Sequence, residues 1–189
     1  MKQIKDLILE NGVVTGSDSL KVDSFLNHQI DIYLAEEMAK EWYERFKECG
    51  VNKVVTVESS GIALATLTAR LFGVPLVCAK KRQSQNIGSD YFSKTVTSFT
   101  HGHNYSIFIS KKFISENDKI LLIDDFLAYG SSLCALSDIC KMGGAKVVGA
   151  GVAVEKVYKN GGTKLENRGV RVEALAKIKE IKDGNIIFE

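Results

Sequence analysis

Excess of any kind is what this sequence lacks. It has a single proline in 189 residues, which excludes a proline-rich linker or stalk, and its 16 glycines follow no repeat, which excludes collagen-like and low-complexity chains. One-sided charge is missing as well. The formal net charge is +2, so there is no broad electrostatic case for nucleic acid or an acidic membrane surface. No apolar run reaches the roughly 18 residues that a membrane span needs. The opening MKQIKDLILENG sets Ile4, Leu7 and Ile8 at helical spacing, with Gly12 as a stop. Lys5, Asp6 and Glu10 interrupt it, so it does not read as a signal peptide. The four cysteines, Cys49, Cys78, Cys134 and Cys140, form no Cys-x-x-Cys pair and share no metal spacing. Reduced thiols in a cytoplasmic protein are the expectation.

What is present is ordinary globular material, 45% hydrophobic and 25% charged, enough for one domain with a sizeable core. Ile30, Leu34, Met38, Trp42 and Phe46 recur every fourth residue and predict a helix over about 30–48, opened by Asp31 and closed by Gly50. VNKVVTVE (51–58) reads as a strand, 61–73 as a helix stopped by Gly73, and 74–81 as a strand. The polar stretch 82–95 loses all periodicity. Two strands near 96–100 and 104–110 would form a hairpin around HGHN. DKILLIDD (118–125) is a strand, 130–142 a helix, 145–156 a long strand, and the tail a hairpin turned at Asp183-Gly184. Strands alternating with helices predict a mostly parallel sheet covered on both faces, with ligands beyond its carboxyl ends.

Three chemical segments fall at such ends: Glu58-Ser59-Ser60-Gly61, Lys80-Lys81, and Asp124 to Ser132. In the last, a buried strand runs into two adjacent carboxylates, then a glycine and two hydroxyls. The N–H groups opening the next helix, freed by Gly130 and joined by Ser131 and Ser132, outline a phosphate site. It is neither a Walker loop nor GxGxxG. Asp124 and Asp125 could cap the turn, hold Mg²⁺, or accept hydrogen bonds from vicinal sugar hydroxyls. Phosphate on one side and a diol on the other describe a ribose 5-phosphate.

ILLIDDFLAYGSS (120–132) resembles the phosphoribosyl pyrophosphate (PRPP) signature of the type I phosphoribosyltransferases. The similarity covers nearly the whole chain. SLKVDSFLNHQID (19–31), VVTVESSGIA (54–63), SFT (98–100), IDDFLAYG (123–130) and VEK (154–156) resemble the xanthine-using branch of the purine enzymes. The resemblance implies an α/β type I phosphoribosyltransferase fold forming one domain. Its core would span about 31–156, under a small hood built from about 1–30 and 157–189.

It further implies that Ala128, Tyr129, Gly130, Ser131 and Ser132 cradle the 5-phosphate of PRPP, with Asp124 and Asp125 facing the 2- and 3-hydroxyls. Glu58, Ser59, Ser60 and Gly61 would receive pyrophosphate in a loop that often contains a strained peptide bond. Lys81, with Lys80 beside it, would meet the same charge. Leu20, Asn27 and Lys156 would contact xanthine. Mg²⁺ would arrive with PRPP, no metal being assured by protein ligation alone. The implied enzyme is a homodimer in purine salvage, transferring phosphoribose to N9 of xanthine to give XMP, with no nucleic-acid or membrane partner.

Two departures from neighbouring branches bear on specificity. Adenine-using members carry an arginine in the pyrophosphate loop where this chain has Ser60, which puts more weight on Lys81 and Mg²⁺. Hypoxanthine-guanine members carry a carboxylate where this chain has Ala128, which suits a base that ionises readily, as xanthine does.

Several residues keep two readings. Leu20 and Phe126 are core residues or base contacts. The segment 82–95 is a surface loop or a lid over PRPP. His101 and His103 read as hairpin polar residues rather than metal ligands. His28 sits beside a base contact, and Lys111-Lys112 reads as a solvated turn. Hypoxanthine or guanine is the alternative base. A PRPP-sensing transcription regulator is the alternative class, but residues 1–30 are too few for a winged helix and no basic stripe is present.

Overall fold

The computed structural model describes residues 1–16, 18–82, 90–97 and 104–189. The chain runs through α1 (Lys2–Asn11), β1 (Val13–Thr15), β2 (Ser19–Lys21), a π-helical turn (Asp23–Asn27), α2 (Ile32–Phe46), β3 (Lys53–Val57), α3 (Ile62–Phe72), β4 (Leu76–Ala79), β5 (Tyr91–Thr97) and β6 (Asn104–Ser110). It continues through β7 (Lys119–Leu127), α4 (Ser131–Met142), β8 (Lys146–Lys156), α5 (Gly161–Glu166), β9 (Val172–Lys182) and β10 (Asn185–Phe188). No helix among the described residues is long and apolar enough to cross a membrane.

The central sheet has the order β10-β9-β8-β7-β3-β4. The β9–β10 pair is antiparallel and the other four pairs are parallel. Successive residues of its inner strands point to opposite faces, and both faces are buried. Val54, Leu121 and Ile123 join one core with α1, α2 and α3; Val55, Ile120 and Leu122 join the other with α4 and the β5–β6 hairpin. The order reverses between β3 and β7, and their following helices cover different faces. A crevice therefore opens at the carboxyl ends of these two strands.

Local signals account for the elements. The Asp31 side chain accepts a hydrogen bond from the Leu34 N–H and caps α2, and Gly50 ends that segment at φ 67°. Trp42 and Phe46 of α2 press onto β8 where Gly151 and Gly149 carry no side chain; a Cβ there would lie 2.8 and 2.3 Å from the two rings. Asp183 and Gly184 both have positive φ and turn β9 into β10.

Some sequence expectations need correction. The strand beginning at 118 does not end at Asp125; β7 runs to Leu127, because Phe126 and Leu127 still pair with Val154 and Glu155 of β8. The 82–95 stretch is not one irregular segment. Residues 91–97 form β5, paired with β6 from Tyr91↔Ser110 to Thr97↔Asn104. Its alternation is disguised by Lys94, which lies between the core-packed Phe92 and the buried Val96 and reaches Asp138 of α4 at 3.4 Å. What remains of the lid reading, together with SFT, His101 and His103, lies outside the described residues. The amino-terminal ribbon β1–β2, the π-helical turn and α5 are additions that no periodicity announced.

Candidate active site

The loops leaving β3 and β7 meet at the switch point. Glu58–Ser59 is a cis peptide bond, and the loop then enters α3 at Gly61. Gly61 lies so close to β7 that a Cβ would stand 2.4 Å from Thr56 Oγ1 and 3.0 Å from Asp124 Oδ1. Only glycine lets this loop sit on the carboxylates. Glu58 Oε1 accepts the Lys81 main-chain N–H at 2.7 Å, and Oε2 lies 3.3 Å from Lys80 Nζ. These contacts, the main-chain one foremost, hold the Glu58 carboxyl below its ordinary range. The two lysines therefore differ. Lys80 is spent on Glu58 and on main-chain pairing with Phe108. The Lys81 ammonium reaches over the Tyr105 ring, 5.6 Å from its centroid, and acts on the charge of Asp124.

Asp124 and Asp125 are both buried. Asp125 is the meeting point of three segments. Its Oδ1 accepts from Ser60 Oγ at 2.8 Å and its Oδ2 from Asn27 Nδ2 at 3.1 Å. Asp124 Oδ1 accepts the Asp125 N–H at 3.0 Å. Burial, then the neighbouring charge of Asp125, pushes the Asp124 carboxyl well above its ordinary value.

Beyond β7, Gly130 turns the chain into α4 at φ 74°. The first N–H groups of α4 have no preceding turn to bond. Ala128, Tyr129, Gly130, Ser131 and Ser132, with Asp124, Phe126, Thr97 and Tyr105, line a cleft of about 170 Å³. Tyr105 Oη lies 2.8 Å from Ser132 Oγ and so joins β6 to this loop.

Three candidates remain. Asn27 is brought to Asp125, as above. Leu20, on β2, is buried in the core. Lys156 Nζ donates to the Asp18 carbonyl at 2.6 Å, and burial lowers the ammonium from its ordinary pKa. Tyr105, Asp18, Lys159 and the Gly161-Gly162 pair were not singled out from sequence. An adjacent glycine pair at the start of a helix was the one available signal; nothing marked the others. Among the described residues, no three His, Cys, Asp or Glu side chains cluster as a metal site.

Residues 21–181 match the phosphoribosyl transferase domain family, and the chain belongs to that family. Within it, the chain is 46% identical to a xanthine phosphoribosyltransferase of Clostridium novyi over 189 residues, covering the whole of both chains. It is 43% identical to the xanthine phosphoribosyltransferase of Clostridioides difficile, again end to end. Among solved structures, it resembles the adenine phosphoribosyltransferase of Giardia lamblia, with a TM-score of 0.77 at 22% identity over 92% of this chain and 97% of that one. The Saccharomyces cerevisiae enzyme gives 0.73 at 20%, over 92% and 98%. At these identities the structural likeness is one of fold.

Proposed function

We propose that this chain transfers the 5-phosphoribosyl group of PRPP to N9 of xanthine, giving XMP and pyrophosphate. The observation that carries the reading is the convergence on Asp125 of Ser60 from the β3 loop and Asn27 from the π-helical turn, beside the open, glycine-led start of α4. Full-length relatives named xanthine phosphoribosyltransferase support the choice of base.

In this reading Ala128–Ser132 seat the 5-phosphate, with main-chain N–H groups and the two serine hydroxyls donating. Asp124 and Asp125 accept from the ring hydroxyls. Glu58–Gly61 present N–H groups and the Ser60 hydroxyl near the leaving pyrophosphate, and Lys81 supplies a cation there, with Lys80, paired to Glu58, beside it. Lys156 and Asn27 donate to ring carbonyls of an electron-rich base, against a hood wall that includes Leu20. N9 bonds to the anomeric carbon as the bond to pyrophosphate breaks; the bonding pair leaves with pyrophosphate, and the imidazole N–H proton of the base passes to water. The residues contribute mainly by orienting the reactants and stabilising charge.

Mg²⁺ fits this donor set. It prefers oxygen ligands and keeps few from protein, and the carboxyl oxygens at the end of β7 would supply one or two once a bound substrate opened them. When bound it neutralises charge on the pyrophosphate. The reading also includes a cytoplasmic homodimer, with residues 1–30 and 157–189 acting as the hood over 31–156; the free state of all four cysteines is compatible with a reducing compartment.

The test is a spectrophotometric assay with PRPP, Mg²⁺ and each of xanthine, guanine, hypoxanthine, adenine and orotate. Strong preference for xanthine is expected. Turnover of another base would leave the PRPP site standing and overturn the base pocket. Ala128→Asp should shift preference toward hypoxanthine and guanine, and an unchanged ranking would count against the role given to Ala128.

A further inference from the structure

Three residues between Lys156 and Lys164 touch the proposed phosphate loop: Lys159, Gly161 and Lys164. Gly161 packs against its main chain so tightly that a Cβ would stand 2.2 Å from Ala128 O and 2.8 Å from Gly130 N. Gly162 has the same intimacy with the buried Glu155 carboxylate, which accepts its N–H. Lys164 Nζ donates to Tyr129 O at 3.1 Å. Lys159 Nζ donates to Tyr129 Oη at 3.2 Å and lies 5.1 Å from the centre of the same ring.

Lys159 also pairs with the Asp18 carboxylate, in the turn between β1 and β2. The carbonyl of that same Asp18 holds Lys156 Nζ. Asp18 is thus a junction: its main chain touches the proposed base contact and its side chain is tied, through Lys159, to the proposed phosphate loop. The Lys159 side chain is 20% exposed and that of Asp18 38%, so water reaches the pair from the Asp18 side and the contact is a modest one. The contact raises the Lys159 ammonium and lowers the Asp18 carboxyl, as a formed ion pair requires.

We propose that Lys159 is a positioning residue for phosphoribosyl transfer, bracing the base-binding hood against the phosphate loop through Asp18 and Tyr129. A nucleotide spans both places, so a fixed distance between them orders base and phosphate before either binds. The inference rests on the proposed reaction and adds a residue to it. Lys159 need touch neither substrate.

The experiment compares Lys159→Met, Lys159→Arg, Asp18→Asn and the Asp18→Asn/Lys159→Met pair in steady-state assays with PRPP and xanthine. Asp18→Asn keeps the carbonyl that holds Lys156 and removes only the ion pair. Lys159→Met should raise KM for both substrates about fivefold, the most that a part-exposed ion pair is worth, with kcat changed less. Lys159→Arg should restore most of it, and the double variant should be no worse than Lys159→Met alone. Unchanged KM values, a loss in one substrate only, or additive effects in the double variant would overturn the brace. A wild-type protein with no turnover would instead sink the reaction; the brace is then judged by calorimetric binding of ribose 5-phosphate, which Lys159→Met weakens if it stands and leaves unchanged if it does not.

Discussion

Asp124 and Asp125 are neighbours in sequence with different surroundings. Asp125 is satisfied by Ser60 and Asn27, whereas Asp124 is buried beside a like charge and its carboxyl is pushed up. The folded chain therefore holds a proton that the unfolded chain releases near pH 4. Stability attributable to this site is full at acid pH and is lost as pH rises through the folded-state value. Asp124→Asn should accordingly raise the melting temperature, more at pH 8 than at pH 5, while lowering turnover. A variant less stable than wild type at pH 8 would refute this account. The pair itself was legible from ILLIDDFLAYGSS, because apolar runs seldom end in two carboxylates without a use. The difference between its members was not legible, since it depends on Ser60 and Asn27, which lie 65 and 98 residues away along the chain.

Helices and strands with an uninterrupted apolar pattern were readable: α2 from its four-residue period, β3, β7 and β8 from their β-branched runs. β5 was hidden because Lys94, exposed and paired with Asp138 of α4, interrupts the apolar alternation of Phe92 and Val96. The docking of α2 on β8 is likewise a pair property. Gly151 is unremarkable in AKVVGAGVAVEK until Trp42 is placed over it, where a Cβ would meet the ring at 2.8 Å. Gly151→Ala should lower stability by about 1–3 kcal/mol through overpacking. Urea denaturation should show a lower midpoint with an unchanged slope; wild-type stability would mean that α2 shifts at little cost.

For the whole molecule, the crevice at the switch point is shared by β3, β7, the π-helical turn Asp23–Asn27 and the α5 segment, so ligand there should stabilise the entire domain. PRPP with Mg²⁺ at a hundredfold excess over its Kd adds about 2.7 kcal/mol, or roughly 5–10 °C in melting temperature for a domain of this size. Calorimetric or fluorescence melting with and without PRPP checks it, and no shift at saturating PRPP would argue against a PRPP site. The sequence by itself determined the alternation of strands and helices, the two-faced sheet, the glycine-led start of α4 and the family, because these are written in local periodicity and contiguous motifs. Only the tertiary structure decided that Lys80 pairs with Glu58, what satisfies Asp125, and that Lys159 meets both Asp18 and Tyr129. Those depend on side chains that are remote along the chain and meet only when the sheet brings its strand ends together.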